Sequence, residues 1–272
     1  MDKKQYHRAL TIAGSDSGGG AGIQADLKTF SALECYGMSV ITALTAQNTV
    51  AVTAIHEVPA QMVADQMDAV MEDIGVDAVK IGMLQTPQVI KIVAKHLKKW
   101  NVDKIVVDPV MIAKSGDKLL LDNAVDALRS EILPLANIIT PNIPEAEVLL
   151  ERKINNREEM ARAAKDLLDF GSLSVLLKGG HFSGDKSPDC LVLKNNGIYW
   201  YDALRIDSDN THGTGCTQSS AITAYLARGY KLTEAVTGAK EYITGAITKG
   251  ADYKIGNGHG PVHHFYNLWQ DN

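Results

Sequence analysis

Cysteine is scarce in this sequence. The three cysteines, Cys35, Cys190 and Cys216, are odd in number and lie far apart along the 272 residues. Such spacing does not make a disulfide framework, and there is no Cys-x-x-Cys pair of the kind that binds zinc. We therefore expect a chain that works in a reducing compartment, the cytoplasm.

Blocks of basic charge and long apolar runs are also missing. The formal net charge is −5, and no cluster of Lys and Arg is present to neutralise nucleic-acid phosphates. No apolar run approaches membrane length, and residues 1–6 lead into a short apolar stretch without a signal-peptide cleavage pattern. We therefore expect neither a nucleic-acid partner nor a membrane partner.

Apolar residues make up 45% of the chain and follow two alternating patterns. Short continuous apolar runs predict buried strands, and runs with apolar residues three or four apart predict helices. This alternation is typical of an α/β fold whose mostly parallel sheet is covered on both faces. No linker or repeat interrupts it, so we expect one domain over residues 1–272. The predicted strands are 9–13, 38–46, 52–58, 76–81, 104–107, 136–139, 174–177 and a hairpin over 190–201, and the predicted helices are 23–33, 60–74, 87–97, 124–132, 157–170, two that start at 217 and 233, and a short one after 261.

The most informative stretch is residues 210–217, Asn-Thr-His-Gly-Thr-Gly-Cys-Thr, which runs directly into an apolar helical segment. Glycine allows positive φ and close approach of a ligand, which we expect at Gly213 and Gly215. The free N–H groups of the first helical turn lie at the positive end of the helix dipole and, with Thr214, indicate a phosphate site. Cys216 lies in the same turn, where a thiol ionises more easily. The alternative is a glycine loop that only caps the helix.

A second glycine loop covers residues 14–22 and joins the first strand to a helix. Residues 20–25 match the dinucleotide pattern G-x-G-x-x-A, but that fold needs an acidic residue at the end of the next strand. Here the strand ends in Gln47 and Asn48. A loop that covers the substrate fits better, with Asp26 one helical turn inside. Asp26 is alternatively an ordinary first-turn helix charge.

Polar residues follow several predicted strands, and ligands of such sheets bind beyond the carboxyl ends of the strands. Asp108 and Glu145 are the candidate Mg²⁺ carboxylates, although Glu145 also suits a first-turn acid stabilised by the helix dipole. Lys178 is placed to reach a nucleotide phosphate, or is a solvated lysine at a strand end. Three histidines lack any standard zinc spacing, and we expect structural or substrate-edge roles for them. They are His259, His263 and His264.

Together these motifs resemble the hydroxymethylpyrimidine/phosphomethylpyrimidine kinases of thiamin biosynthesis, a family of the ribokinase superfamily. The resemblance extends over nearly the whole chain. The segments that carry it are 13–16, 19–30, 42–49, 80–84, 108–111, 140–147, 178–181, the loop of Cys216, and 260–265.

The resemblance implies a three-layer αβα fold, ATP with Mg²⁺, and two successive phosphorylations of 4-amino-5-hydroxymethyl-2-methylpyrimidine, first to the monophosphate and then to the diphosphate. We also expect a homodimer. By position, the residues that resemble the pyrimidine pocket are Asp26, Gln47, Met83 and Val110, with Gly14 and Ala21 beside them. Residues 213–216 resemble the anion hole, and the expected nucleotide contacts are Lys178, Thr211 and Asn142. Most ribokinase relatives have an aspartate base at the position of Cys216, which leaves the proton acceptor open.

Three other functions compete with this interpretation. A pyridoxine/pyridoxal kinase has the same fold, but the Gln47 amide suits a ring nitrogen together with an exocyclic amine. An NAD-dependent oxidoreductase would share the glycine loop but needs the missing ribose acid. A catalytically silent sensor would bind the pyrimidine without releasing ADP.

Overall fold

The computed structural model describes residues 4–111, 122–195 and 197–270. Nine strands in these ranges form one sheet in the order β3-β2-β1-β4-β5-β6-β7-β8-β9. The six strands from β2 to β7 in this order pair in parallel, and β3, β8 and β9 are antiparallel additions at the edges. The strands are β1 (His7–Asp16), β2 (Cys35–Gln47), β3 (Val52–Glu57), β4 (Ala78–Ile81), β5 (Ile105–Val107), β6 (Ile138–Ile139), β7 (Ser174–Lys178), β8 (Lys186–Leu193) and β9 (Ile198–Leu204).

The helices begin where local chemistry favours them. Thr86 accepts a hydrogen bond from the Val89 amide before the third helix, and Asn142 and Glu145 form a capping box at the start of the fifth. Residues 264–268 form turns, so the short C-terminal helix expected there is wrong. The helices are α1 (Gly22–Ala32), α2 (Ala60–Asp73), α3 (Pro87–Lys99), α4 (Asp122–Ala127, continued by a π turn to Ile132), α5 (Ile143–Leu150), α6 (Arg157–Asp166), α7 (Thr214–Ala227) and α8 (Leu232–Gly250).

The sheet is the middle of three layers. Along β1, Leu10 and Ile12 point into a core shared with helices α2 to α6, whereas Ala9 faces the core of α1, α7 and α8. Each fully buried side chain of the size of Leu10 or Ile12 contributes about 1.5–3 kcal/mol to the stability of the fold. The αβα sandwich implied by the resemblance is thus confirmed.

The parallel pairing places the carboxyl ends of β1, β2, β4, β5, β6 and β7 along one edge of the sheet. The start of α7 lies at the same edge. Among the described residues, no helix combines the length and the apolar composition needed to cross a bilayer.

Candidate active site

A cleft of about 1300 Å³ opens at this edge of the sheet. All but one of the predicted site residues line it, so residues from many separate segments meet at one place. They are Gly14, Ala21, Gln47, Met83, Asp108, Val110, Asn142, Glu145, Lys178, Thr211, Gly213, Thr214, Gly215 and Cys216. The exception is Asp26.

The start of α7 forms one wall of the cleft. Gly213 has φ +80°, and a side chain there would bring its first carbon to 1.9 Å from the carbonyl oxygen of Gly20. Only glycine therefore allows the two glycine loops to touch. Within the described residues, the N–H groups of Gly215 and Cys216 donate to no protein acceptor. These two donors lie at the positive end of α7, a geometry that would suit an anion.

Gly215 is needed for space and not for its φ angle. Its backbone is helical, so the expected positive φ is wrong at this position and holds only at Gly213. A first side-chain carbon on Gly215 would lie 3.2 Å from Lys178 Nζ and 3.5 Å from Asp108 Oδ2. Helix α7 therefore starts directly against the charged groups at the ends of β5 and β7.

Lys178 and Asp108 form a nearly buried ion pair, with Nζ 2.7 Å from Oδ1. Burial opposes the ammonium charge of Lys178, but the carboxylates of Asp108 and Glu145 outweigh it and raise the pKa of Lys178. Thr140 Oγ1 also lies 3.2 Å from Asp108 Oδ1. Lys178 is thus a fixed positive charge in the cleft, and the alternative of a solvated strand-end lysine is wrong.

Glu145 combines a structural and an electrostatic role. Its Oε2 accepts a hydrogen bond of 2.8 Å from the Asn142 amide, and its own amide donates to Asn142 Oδ1 at 2.9 Å. Burial raises the pKa of Glu145 to about 8, Lys178 lowers it and Asp108 raises it. A second positive charge in the cleft would therefore favour the ionised carboxylate.

Met83 and Val110 give the cleft a small apolar wall. Met83 packs with Ala43, and Ile55 and Val110 pack against them. The Thr42 hydroxyl fixes this wall by donating to the Met83 carbonyl at 2.7 Å. Such a wall suits the face of a flat ring.

Gln47 lies half-buried where β2 ends and lines the same cleft as Met83. The Thr45 hydroxyl donates to Gln47 Oε1 at 3.1 Å, and Gln47 Nε2 lies 3.5 Å from His212 Nε2. The Thr45 hydroxyl also lies 2.8 Å from the Ser15 carbonyl, and His212 Nε2 faces Asp16 Oδ2, so neither neighbour fixes the amide. It offers both a donor and an acceptor to a bound ring.

Asp26 lies apart from the cleft, which corrects the expectation that it contacts substrate. Its carboxylate is fully buried and receives Lys80 Nζ at 2.9 and 3.0 Å, Ser220 Oγ at 2.6 Å and Thr11 Oγ1 at 2.6 Å. A carboxylate that is held by these donors has little capacity left for a ligand. Lys80 lines the cleft in its place.

Cys216 does not ionise as easily as its place in a first helical turn suggests. Burial raises the pKa of Cys216 to about 11, and the positive charge of Lys80 offsets only part of this effect. The prediction of an eased ionisation is therefore wrong. The physical reason is that burial outweighs the positive charge of Lys80.

The rate of Cys216 alkylation should follow this raised pKa. Only the thiolate reacts, and well below a pKa of about 11 its fraction rises tenfold per pH unit. We expect the alkylation rate by iodoacetamide to rise about tenfold per unit from pH 7 to pH 10, whereas an ordinary thiol levels off above about pH 8.5. Mass spectrometry of the Cys216 peptide measures this rate. A plateau below pH 9 would contradict the raised pKa.

Sequence reasoning missed three residues that shape the cleft, namely Asp16, His212 and Lys80. Asp16 accepts hydrogen bonds from the amides of Gly18, Gly20 and Ala21 at 2.8, 3.1 and 2.8 Å. His212 Nε2 lies 2.9 Å from Asp16 Oδ2. Burial opposes the carboxylate charge of Asp16, but the hydrogen bonds from His212 and the loop amides outweigh it and lower the pKa of Asp16. Asp16 thus folds the first glycine loop and ties it to the second.

The sequence signal for Asp16 was an acid at the end of an apolar strand, where a charge needs partners. The signal for Lys80 was a charged residue within the apolar run of β4.

His264, in the C-terminal segment, is buried, and its Nε2 lies 3.1 Å from the Thr217 hydroxyl. Burial lowers the pKa of His264 to about 3, so the ring is neutral at ordinary pH. The His212 amide donates to the Gly260 carbonyl at 3.0 Å. The C-terminal segment 260–264 therefore contacts the start of α7 and the loop before it. His264 has the structural role expected for it.

The family model for phosphomethylpyrimidine kinase matches residues 16–263 of this sequence. The matched range contains Asp16, the ends of strands β2 to β7 and the whole first turn of α7. The chain belongs to the phosphomethylpyrimidine kinase family. It is a phosphotransferase, and ATP is the co-substrate that this kinase family implies.

Two relatives of the family are similar over almost their whole length. The hydroxymethylpyrimidine/phosphomethylpyrimidine kinase of Rhizobium meliloti (strain 1021) is 53% identical over 264 residues, which cover 97% of this chain and 98% of that protein. The crystal structure of the phosphomethylpyrimidine kinase of Clostridium difficile 630 is 52% identical, covers 88% of this chain and 99% of that chain, and has a TM-score of 0.79.

A vitamin kinase with another substrate shares the fold. The pyridoxal kinase of Bacillus subtilis, solved as an ADP complex, is 37% identical and has a TM-score of 0.90. The similarity covers 98% of this chain and 100% of that chain. Similarity of the backbone alone therefore does not distinguish the substrates of these kinases.

Proposed function

We propose that this chain phosphorylates 4-amino-5-hydroxymethyl-2-methylpyrimidine and then its monophosphate, in thiamin biosynthesis. The observation that carries the proposal is the layout of one cleft. An apolar wall and the Gln47 amide share the cleft with the first-turn N–H groups of α7. The names of the relatives at 53% and 52% identity support the same substrate.

The chain's own residues explain the transfer step as follows. The N–H groups of Gly215 and Cys216 hold the transferring phosphoryl group, and Lys178 neutralises phosphate oxygens. The hydroxymethyl oxygen attacks the γ-phosphorus, and the bond to ADP breaks. Cys216 accepts the hydroxyl proton in its thiolate form, which is a strong base because the pKa of the thiol is high.

Mg²⁺ belongs to this proposal, and the residues present fit it. Within the described residues, Asp108 Oδ2 and Glu145 Oε1 accept no hydrogen bond, and both carboxylates line the cleft. Two carboxylates with waters and phosphate oxygens are the donors Mg²⁺ takes. When bound, the ion would neutralise phosphate charge. The raised pKa of Glu145, about 8, makes its ionisation responsive to such a cation.

The cleft continues from the anion site toward α8, which gives room for the nucleotide. Apolar side chains line that end and suit an adenine ring. They are Leu204, Ile206, Ile243 and Ile247. Thr211 and Asn142 line the part between, where we propose that they contact the phosphates.

The test is to incubate the protein with Mg-ATP and one of three acceptors, namely the hydroxymethylpyrimidine, its monophosphate or pyridoxal, and to read the products by mass. We expect phosphate transfer to both pyrimidines and only slow transfer to pyridoxal. Faster turnover of pyridoxal would make the chain a vitamin B6 kinase, the alternative favoured by the TM-score of 0.90. ADP release without a phosphorylated product would overturn both.

Gln47→Met should change substrate choice. A site that reads a ring by hydrogen bonds loses discrimination when its buried amide is removed. We expect kcat/KM for the pyrimidine to fall by about 10²-fold or more, with a much smaller change for pyridoxal. Competition kinetics with both substrates measure the ratio. The exposed Gln61 on α2 gives the matched control, Gln61→Met, which should change neither value. An equal loss for both substrates would make Gln47 structural.

Three further expectations remain proposals. One sheet with a core on each face supports a single domain over residues 1–272.

Free thiols at Cys35, Cys190 and Cys216 support a cytoplasmic location. Leu44 and Val50, exposed by 46% and 60% near the β3 edge, support a homodimer, which sedimentation velocity would test.

A further inference from the structure

A second buried ion pair, separate from that of Lys178 and Asp108, lies beside the cleft. Lys80 of β4 and Asp26 of α1 are both fully buried, with Nζ 2.9 Å from Oδ2. Ser220 of α7 and Thr11 of β1 each donate to the same carboxylate at 2.6 Å. Four elements therefore meet at Asp26, and the carboxylate is well supplied with hydrogen bonds.

Such a pair is an unusual way to stabilise a core. Taking two charges out of water costs several kcal/mol, and well-packed apolar side chains of similar size often serve as well or better. Burial opposes the charge of Lys80, but the Asp26 carboxylate outweighs it and raises the pKa of Lys80, so the ammonium stays charged. A charge kept at this cost suggests a task beyond packing.

The two members of this ion pair differ in their position relative to the cleft. Lys80 lines the cleft, whereas Asp26 lies behind it. A first side-chain carbon on Gly82 would lie only 2.9 Å from Lys80 Nζ and 3.0 Å from Ala13 Cβ. Gly82 thus leaves the space that the ammonium needs at the carboxyl end of β4. Lys80 is thus the member of the pair on the side of the cleft.

Cys216 is connected to the ion pair through helix α7. Ser220 is four residues after Cys216 on α7, so the two side chains are on the same face of the helix, one turn apart. Ser220 binds Asp26, and Cys216 is one turn nearer to the cleft. The charged groups that interact electrostatically with Cys216 come from four elements or the loops after them. They are Asp26, Lys80, Asp108 and Lys178.

We propose that Lys80 is a positioning residue for phosphoryl transfer, whose ammonium, fixed by Asp26, stabilises the negative charge of the Cys216 thiolate. This inference rests on the proposed function of Cys216. Before transfer the thiol loses its proton to water. During transfer the substrate O–H bond breaks and its proton goes to the sulfur, while the oxygen pair bonds the γ-phosphorus and the broken P–O pair stays on ADP.

The test measures Cys216 alkylation and kinase kinetics in three variants. Lys80→Met removes the ammonium, and Lys80→Met/Asp26→Asn removes both charges at similar volume. Lys104→Met is the matched control, because Lys104 bonds the Leu226 carbonyl outside the cleft. Thermal unfolding reports on the fold of each variant.

Lys80→Met should slow alkylation at pH 8 by about tenfold or more, since one pKa unit changes the thiolate fraction tenfold. It should lower kcat by a similar factor and leave KM for ATP nearly unchanged. The double variant should regain thermal stability, because no unpaired charge remains buried. It should still alkylate and turn over several-fold more slowly than the wild type. Lys104→Met should match the wild type in both assays.

A purely structural pair would give a different pattern. Recovery of wild-type alkylation and kcat in the double variant would overturn the proposal, and so would unchanged alkylation in Lys80→Met. The alkylation assay needs no substrate. A wild-type protein that leaves the pyrimidine unphosphorylated, yet shows the Lys80-dependent alkylation, would therefore overturn the proposed function and support the coupling of Lys80 to Cys216.

Discussion

Replacing Gly215 with valine is expected to lower kcat by about 10²–10³-fold, the loss that follows removal of one donor from an oxyanion-type site. Even the first side-chain carbon would lie 3.2 Å from Lys178 Nζ and 3.5 Å from Asp108 Oδ2. The two further methyl groups of valine would occupy the space in front of the α7 amides, where we place the phosphoryl group. Steady-state kinetics measure the effect, with unfolding temperature as the check on folding.

Gly215→Ala provides the graded comparison. Its single methyl group meets the flexible end of the Lys178 side chain, which can shift by a few tenths of an ångström, so we expect a clearly smaller loss of kcat. A helical glycine replaced by alanine also gains helix propensity, so unfolding of the alanine variant is not expected. A folded Gly215→Val protein with near-normal turnover would refute the assignment of the anion site.

Cys216→Ala is expected to lower kcat by about 10²–10⁴-fold, the usual contribution of general-base catalysis. The sulfur lies in the first turn of α7, next to the amides that we assign to the phosphoryl group. ATP affinity should stay largely intact, because the N–H groups and Lys178 remain. Steady-state kinetics and ATP binding, measured on the same preparation, separate the two effects.

Cys35→Ala is the matched control for Cys216→Ala. Cys35 is a free, buried thiol whose Sγ lies 3.5 Å from the Ala224 carbonyl, outside the cleft, so its loss should leave kcat unchanged. Alkylation should inactivate the wild type, and bound pyrimidine should protect it. Cys216→Asp should keep part of the activity, since a carboxylate can also accept the proton. Wild-type kcat in Cys216→Ala would remove the sulfur from the mechanism.

The sequence predicted most strands and helices because their periodicity is local. The continuous apolar run of β7 and the 3–4 spacing of α2 each indicate one structure without reference to the rest of the chain. The C-terminal residues 264–268 were the exception, since they are held by packing and not by their own pattern. Tyr242 donates to the His264 carbonyl there, a contact between distant parts of the chain.

The cleft residues were predictable where they follow a strand or start a helix. Asp108, Lys178 and Gly213 are in that group, because parallel strands bring their carboxyl ends to one edge. The role of Asp26 could not be predicted, because its partner Lys80 is 54 residues away. Periodicity contains no information on which charged side chains form a pair.

By itself the sequence determined the alternating layers, the two glycine loops and the edge of the sheet where ligands bind, since these depend on residue order and local spacing. Only the tertiary structure decided that Asp16 and His212, 196 residues apart, fasten the two loops together. It also decided the protonation of Cys216, because burial raises the pKa of its thiol to about 11. Charge pairing and burial are properties of the packed chain, and no short segment contains them.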